Sequence, residues 1–215
     1  MDPTDYPLGK KIRHDATSSR AFQDTMREKK KNYLYVQAMY FLISGLIPMR
    51  NNTILVRKAQ QKDLPMITEI YNDAIKMTTA TFDTTPKAIE EQRLWFTDHG
   101  KKNPIMVAEQ DERIIAWGAL SKWSDRCAYT DTAEVSLYVT EPYQGKGIGT
   151  HLLKQLLKEG RKQGLHAVIA RITEGNTHSL TLHESLGFFH IGTMKEVGVK
   201  FGKRLDVHLL EKLFP

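Results

Sequence analysis

The residues best suited to bind a reactive group lie at 144–150. There Gln144, Gly145, Lys146, Gly147, Ile148, Gly149 and Thr150 join an alternating strand pattern to an amphipathic helix pattern. At a helix start the first backbone N–H groups lack intrahelical acceptors and the dipole adds partial positive charge, so this position favours a phosphate. Glycines there let ligand oxygens approach the backbone without meeting a Cβ. The spacing Gly-x-Gly-x-Gly matches neither the dinucleotide fingerprint nor the Walker pattern, and no carboxylate stands after a hydrophobic strand to hold Mg²⁺, so phosphoryl transfer is excluded. Taken alone, the stretch also reads as a flexible turn that merely tolerates glycine. The other candidates are ambiguous by residue type: Glu134 reads as a solvent-facing strand carboxylate, His183 as a packing histidine and Asn176 as a helix cap. The eight histidines show no His-Glu-x-x-His or comparable spacing, so no metal site is expected.

The elements around that turn follow from periodicity. Residues 54–57 read as a strand, and Asp63, Leu64 and Pro65 open a helix carrying Ile67, Ile70, Tyr71 and Ile75 at helical spacing. Thr85 and Pro86 mark a second helix start leading into residues 89–96. Residues 105–109 and 114–120 read as two strands of an antiparallel hairpin, followed by a loop at 121–130. In 132–140, Ala133, Val135, Leu137 and Val139 alternate with Glu134, Ser136 and Tyr138, so both faces carry useful side chains. After the glycine turn, Leu152, Leu153, Leu156 and Leu157 mark a helix ended by Gly164. A strand (166–172), a helix (179–186) stopped by Gly187, and two strands near 188–197 and 205–211 complete a mixed α/β sheet.

Of 215 residues, the first fifty differ from the rest. They hold nine Lys/Arg against five Asp/Glu, which is +4 of the formal +6 and leaves +2 for residues 51–215. The main body therefore has no basic footprint for nucleic acid. The apolar run at 33–48 spans 16 residues and contains Gln37, Ser44 and Gly45, short of the ~20 needed to cross a membrane. No signal-peptide cleavage pattern accompanies it. Residues 1–50 read as a non-essential extension, a helix packed on the body, or a membrane contact, with Met49 a sensible start. The division is thus an extension at 1–50 and a main domain at 51–215. The single cysteine, Cys127, allows no intramolecular disulfide and no Cys-rich zinc site, which points to a reducing compartment, by default the cytoplasm.

The glycine turn after the alternating strand, with its Gln-x-x-Gly-x-Gly pattern, resembles the acetyl-CoA pyrophosphate motif of the GNAT acetyltransferases. Within that superfamily, residues 54–213 are similar to the phosphinothricin and methionine-sulfone/sulfoximine acetyltransferase group. The segments that carry the resemblance include Ile70-Tyr71-Asn72, Thr81-Phe82, Trp95-Phe96, Thr132-Ala133-Glu134, Leu182-His183-Glu184, Leu186-Gly187-Phe188 and Gly198-Val199-Lys200-Phe201-Gly202. The resemblance implies a GNAT fold, a mixed and mostly antiparallel central sheet flanked by helices, and acetyl-CoA as co-substrate. It implies that the backbone of Leu137, Tyr138 and Val139 pairs with the pantetheine arm and that residues 144–150 hold the pyrophosphate. Asn176 and Ser185 stand where further cofactor contacts are expected.

The same resemblance makes Glu134 the base beside the acceptor amine, directly or through water. It places backbone N–H groups near Val135, Ser136 and Leu137 at the oxyanion. His183 occupies the place where many members carry a tyrosine that protonates the leaving thiolate, and reads either as a modest acid or as structural. Trp123, Ser124, Asp125 and Arg126 match the segment that recognises the amino acid, but the group has Arg or Lys where Ser124 stands; Arg126 either clamps a carboxylate or pairs with Asp125. Phe82 and Trp123 either wall an apolar pocket or belong to the core. The expected activity is direct acetyl transfer to the primary amine of a small amino-acid-like acceptor, without an acyl-enzyme on Cys127. The competing readings are a polyamine, aminoglycoside or protein N-terminus as acceptor, and a non-catalytic acetyl-CoA sensor, against which Glu134 speaks. The resemblance also allows a homodimer.

Overall fold

The computed structural model describes residues 53–100 and 102–215, together with Arg27, Glu28 and Lys31, which are helical and exposed. The expectations for residues 33–48 and for Met49 lie outside the described residues. By its internal contacts the chain divides into two units, Met1–Arg50 and Asn51–Pro215, and the second carries the elements named below.

It opens with β1 (Leu55–Lys58), a 3-10 turn (Gln61–Asp63), α1 (Leu64–Met77) and α2 (Ile89–Asp98). It continues through β2 (Ile105–Gln110), β3 (Arg113–Lys122) and β4 (Thr132–Val139). Then come α3 (Ile148–Lys162), β5 (Ala167–Thr173), α4 (Thr177–Ser185), β6 (Phe189–Lys200) and β7 (Lys203–Leu213). All seven strands join one sheet in the order β1-β2-β3-β4-β5-β7-β6. Every pairing is antiparallel except β4 with β5. This is the mixed α/β sheet that the pattern implied, mostly antiparallel as the resemblance implied.

Alternation along the strands sorts side chains onto two faces. Beneath one face, Leu152, Leu153, Leu156 and Leu157 of α3 pack on Ala133, Val135, Val168, Ala170 and Ile172. Beneath the other, Ile67 and Ile70 of α1 pack with Val107, Trp117 and Ala119, joined by Trp95, Phe96 and Tyr138. Helix α3 lies close to the sheet where side chains are missing: a Cβ at Gly118 would stand 3.3 Å from Leu156, and one at Gly160 would stand 2.4 Å from Leu120.

Two local details depart from the pattern. Helix α2 starts at Ile89 and not at the Thr85-Pro86 signal. Asn72 on α1 holds the segment before it, accepting from the Lys87 N–H (2.7 Å) and donating to the Lys87 carbonyl (3.0 Å). The helix is then capped by Glu91, whose carboxylate accepts from the Ala88 N–H at 2.9 Å. The β2–β3 turn is tighter than its charged sequence suggests. Asp111 and Glu112 adopt φ of 52° and 64°, the twist a two-residue hairpin requires.

Since Leu156 is fully buried between α3 and the sheet, Leu156→Ala is expected to destabilise the fold by about 2–5 kcal/mol. Chemical denaturation measures this, and a loss under ~1 kcal/mol would show that the α3 layer is not the principal core.

Candidate active site

The parallel ladder between β4 and β5 is short. It pairs Thr132 with Ala167, Ala133 with Val168 and Glu134 with Ile169, and stops there. Beyond it, β4 stays with β3 as far as Val139, while β5 stays with β7 through Thr173, so the two strands part. The backbone of successive strand residues turns to opposite sides. The Trp123 N–H donates to the Thr132 carbonyl, and the Thr140 N–H to the Ile115 carbonyl, so even-numbered residues of β4 turn toward β3. Val135, Leu137 and Val139 therefore turn toward the opening. Of the three backbones expected to meet the pantetheine arm, Leu137 and Val139 are available. That of Tyr138 is turned away, toward its partner Trp117.

A cavity of about 480 Å³ fills the opening, lined by Glu134, Ser136 and Tyr138 of β4, Arg171 and Thr173 of β5, Asn176 just before α4 and His183 within it, with Thr81, Phe82 and Asp83 along one side. Tyr71, Asp83, Ser136 and Tyr138 also line a neighbouring cavity of about 330 Å³ that reaches Lys87, Trp95 and Trp117. The two spaces share that wall.

The glycine turn sits at the end of the opening. A 3-10 turn (Glu141–Tyr143) leads into it, and the Gln144 side chain donates to the Val139 carbonyl at 2.9 Å, tying the turn to the strand. Gly145 and Gly147 have φ of 72° and 78°, and a Cβ on either would meet no atom within 4 Å. Positive φ selects glycine there, while open space in front of the backbone leaves room for a ligand. Gly147 is the N-cap of α3. Gly149, one residue inside that helix, packs so closely that a Cβ would lie 2.9 Å from Leu182. Lys146 stands over the Tyr143 ring at 5.4 Å. Ile148 is buried in the core, and Thr150 lies in the first turn of the helix. Asn176 caps α4 by accepting from the Ser179 N–H at 3.1 Å and lines the cavity as well. The Ser185 hydroxyl is spent on the Leu182 carbonyl at 2.7 Å.

Glu134 reaches the cavity but is not alone there. Both of its oxygens accept from Arg171, Oε1 from Nε at 2.6 Å and Oε2 from Nη2 at 2.8 Å. This fork-to-fork pair bridges the strands just where their ladder ends. His183 is buried against Phe188, with ring centroids 5.0 Å apart. Its Nδ1 meets the Ser179 carbonyl at 2.8 Å. A carbonyl only accepts, so Nδ1 carries the proton and Nε2 is bare in the neutral ring. Burial holds its pKa below the ordinary value despite that bond. In the neutral ring Nε2 is therefore an acceptor.

The loop expected to select the acceptor lies elsewhere. Trp123 and Ser124 are partly buried, Asp125 and Arg126 are exposed, and none of the four lines either cavity. Asp125 pairs with Lys122 at 3.0 Å rather than with Arg126. Phe82 does line the larger cavity, pressed against Gly198, where a Cβ would be 2.5 Å from its ring.

Several site residues carried no assigned role in the sequence. The Tyr71 hydroxyl donates to Asp83 at 2.8 Å and meets Thr81 Oγ1 at 3.1 Å. Burial, with the Asp83 carboxylate, pushes its pKa up to about 12, and burial raises that of Tyr138 further, so both phenols keep their protons. Lys200 is buried and donates to the Thr81 carbonyl. Arg171 was detectable: it is the one charge within the otherwise buried run of β5.

The sequence profile of the acetyltransferase (GNAT) family matches residues 67–188. An L-methionine sulfoximine/L-methionine sulfone acetyltransferase of Pseudomonas aeruginosa is 37% identical over 158 residues, 73% of this chain and 92% of the relative. A phosphinothricin N-acetyltransferase of Streptomyces coelicolor is 33% identical over 163 residues, 74% of this chain and 95% of the relative. Among solved structures, a phosphinothricin acetyltransferase from Sinorhizobium meliloti in complex with acetyl-CoA superposes with a TM-score of 0.73 at 34% identity, covering 75% of this chain and 88% of its own.

The buried neutral His183 makes stability pH-dependent. Its folded pKa lies below the unfolded value near 6.5, so between the two the unfolded chain binds more protons and stability rises with pH. The wild type is expected to lose its stability advantage over His183→Gln as pH falls below about 6.5, by at most ~1.4 kcal/mol per pH unit. Thermal melts of both proteins across that range measure the difference, and a constant gap would mean that the ring is not held neutral.

Proposed function

The chain belongs to the GNAT acetyltransferase family, and from that premise we propose that it transfers acetyl from acetyl-CoA to the primary amine of a small amino-acid-like acceptor, directly, in a ternary complex. The observation that carries this reading is the parting of β4 from β5. It exposes a strand edge that runs from Glu134 to a helix-capping glycine turn. The acceptors named for the relatives, phosphinothricin and methionine sulfoximine or sulfone, support the acceptor class.

The chain's own groups suit acetyl-CoA. The backbone of Leu137 and Val139 offers the pantetheine arm a strand edge, as in β-augmentation. The N–H groups of residues 145–150, with no side chain in front of Gly145 and Gly147, offer the pyrophosphate a helix N-terminus. Asn176 lines the same space. Bound acetyl-CoA supplies an electrophilic thioester. Glu134 takes the proton that makes the acceptor nitrogen nucleophilic, and the Leu137 N–H, the first beyond the β4–β5 ladder, faces the developing oxyanion. A thiol of pKa about 8.5 leaves readily at neutral pH, so His183 need not donate to it. Cys127, exposed and away from both cavities, plays no covalent part. No step calls for a metal ion.

The catalytic domain is taken as residues 51–215, with 1–50 an extension dispensable for the chemistry. The small charge of the body favours a small-molecule acceptor over nucleic acid. Among the described residues no helix is long and apolar enough to cross a membrane, and the single free cysteine suits a reducing cytoplasm. Pairing of two copies finds support in β6, an edge strand that exposes Phe189, Ile191, Val197 and Val199. Light scattering of the purified protein gives the mass directly, and a monomer at micromolar concentration would remove the dimer.

Thiol release from acetyl-CoA is the direct assay, with methionine sulfone, methionine sulfoximine, phosphinothricin, spermidine and an aminoglycoside as acceptors. Turnover is expected with the amino-acid analogues. Glu134→Gln should lower it by about 100- to 10,000-fold with acetyl-CoA affinity kept, while Cys127→Ser should leave it unchanged. Acetyl-CoA binding without release from any amine would point instead to a sensor, and turnover confined to spermidine would move the acceptor class.

A further inference from the structure

We propose that the Glu134–Arg171 ion pair is the recognition device for the acceptor: Arg171 takes the α-carboxylate of a zwitterionic amino acid, and the exchange frees Glu134 for the α-ammonium group. This rests on the amine-acetylation reading above and narrows it to acceptors that carry a free carboxylate beside the amine.

The argument begins with where the cations are. Of the residues lining the two cavities, Lys87 and Arg171 are the only lysine and arginine, and Lys87 pairs with Asp83 at 3.2 Å. Arg126, the guanidinium that the sequence offered for a carboxylate, lines neither space. Arg171 instead projects from β5 on the same face as Thr173, whose hydroxyl donates to the Thr79 carbonyl beside the Thr81–Phe82–Asp83 wall. Its side chain is 52% exposed against 20% for Glu134, so it can change partner without disturbing the core.

As the pair stands, both oxygens of Glu134 are occupied by guanidinium donors. The guanidinium takes one lone pair of each oxygen and offsets the charge, so an incoming ammonium group meets a carboxylate that is already paired. An acceptor carboxylate has the same planar, two-oxygen shape, so it can replace Glu134 on the guanidinium fork with no donor left unpaired. The displaced Glu134 finds the ammonium group of the same molecule. One ion pair and one zwitterion thus become two ion pairs, and no buried charge is stranded.

A polyamine or aminoglycoside brings only the cation. To engage Glu134 it must set a second cation beside the guanidinium on one carboxylate, a like-charge contact that the zwitterion avoids by bringing its own anion. The proton balance is then simple. Glu134 gains a proton as one ammonium N–H bond breaks, and the freed nitrogen lone pair forms the C–N bond. The thioester C–S bond breaks with its electrons on sulfur, and the second surplus proton of the nitrogen passes through solvent to that sulfur.

The test compares methionine sulfone with its α-carboxamide and with the amine left by its decarboxylation, in wild type, Arg171→Lys and Arg171→Gln. Acetyl-CoA affinity and melting temperature serve as controls for folding. The wild type is expected to prefer the free acid over both derivatives by roughly 100-fold in kcat/KM. Arg171→Gln should raise KM for the acid and reduce the preference to within about threefold, with Arg171→Lys in between. If Arg171 only holds Glu134 in place, all three acceptors lose rate together and the preference persists, which would overturn the inference. A wild type that acetylates the carboxamide as well as the acid would overturn it too, leaving the acetyltransferase reading intact. Failure to acetylate any of the three would remove both the inference and the amino-acid acceptor class on which it rests.

Discussion

Three residues of parallel pairing hold β4 to β5, and everything in the site depends on the ladder ending there. Each strand already has an antiparallel neighbour on its other side, β3 for β4 and β7 for β5, so neither can follow the other once they part. The sheet stays whole because one hydrophobic layer runs beneath the split. Val135 on one side and Val168, Ala170 and Ile172 on the other pack on the same face of α3. That shared core keeps the mouth of the opening at a defined width while its upper edge is left to a ligand.

The opening combines groups that would be costly to bury singly. Its backbone edge offers unpaired N–H groups, its walls carry protonated phenols, and its one guanidinium is matched by its nearest carboxylate. The wall at residues 79–83 is fixed from three directions: the Thr173 hydroxyl on Thr79, the buried Lys200 ammonium on Thr81, and Gly198 against Phe82. Such bracing holds polar groups in place before a substrate arrives, which is what a site needs if it is not to spend binding energy on ordering its own parts.

Much of the fold was legible because the relevant signals are local. The alternation along 132–139, the leucine spacing of α3 and the glycines at its start depend on neighbours within a few residues, and the structure has these elements in the expected order. Where a local signal met a distant partner, the partner prevailed. Thr85 and Pro86 look like a helix start, but Asn72 on another helix holds Lys87 extended and moves the start to Ile89. Trp123 to Arg126 are a local segment offered for the acceptor, but they line neither cavity. Arg171, which carried no motif, lines the larger one.

By itself, the sequence determined the elements, their order, the two faces of β4 and the glycine turn before α3, since these follow from side-chain period and local residue type. Only the tertiary structure decided where the β4–β5 ladder ends, that the backbone of Tyr138 turns away from the opening, that Arg171 grips Glu134, and that His183 keeps its proton on Nδ1. Each of these is set by a contact between residues far apart in the chain, or by the burial such contacts create. The free energy of a charge or an unpaired N–H depends on what stands within a few ångströms of it, and that neighbourhood exists only once the chain has folded.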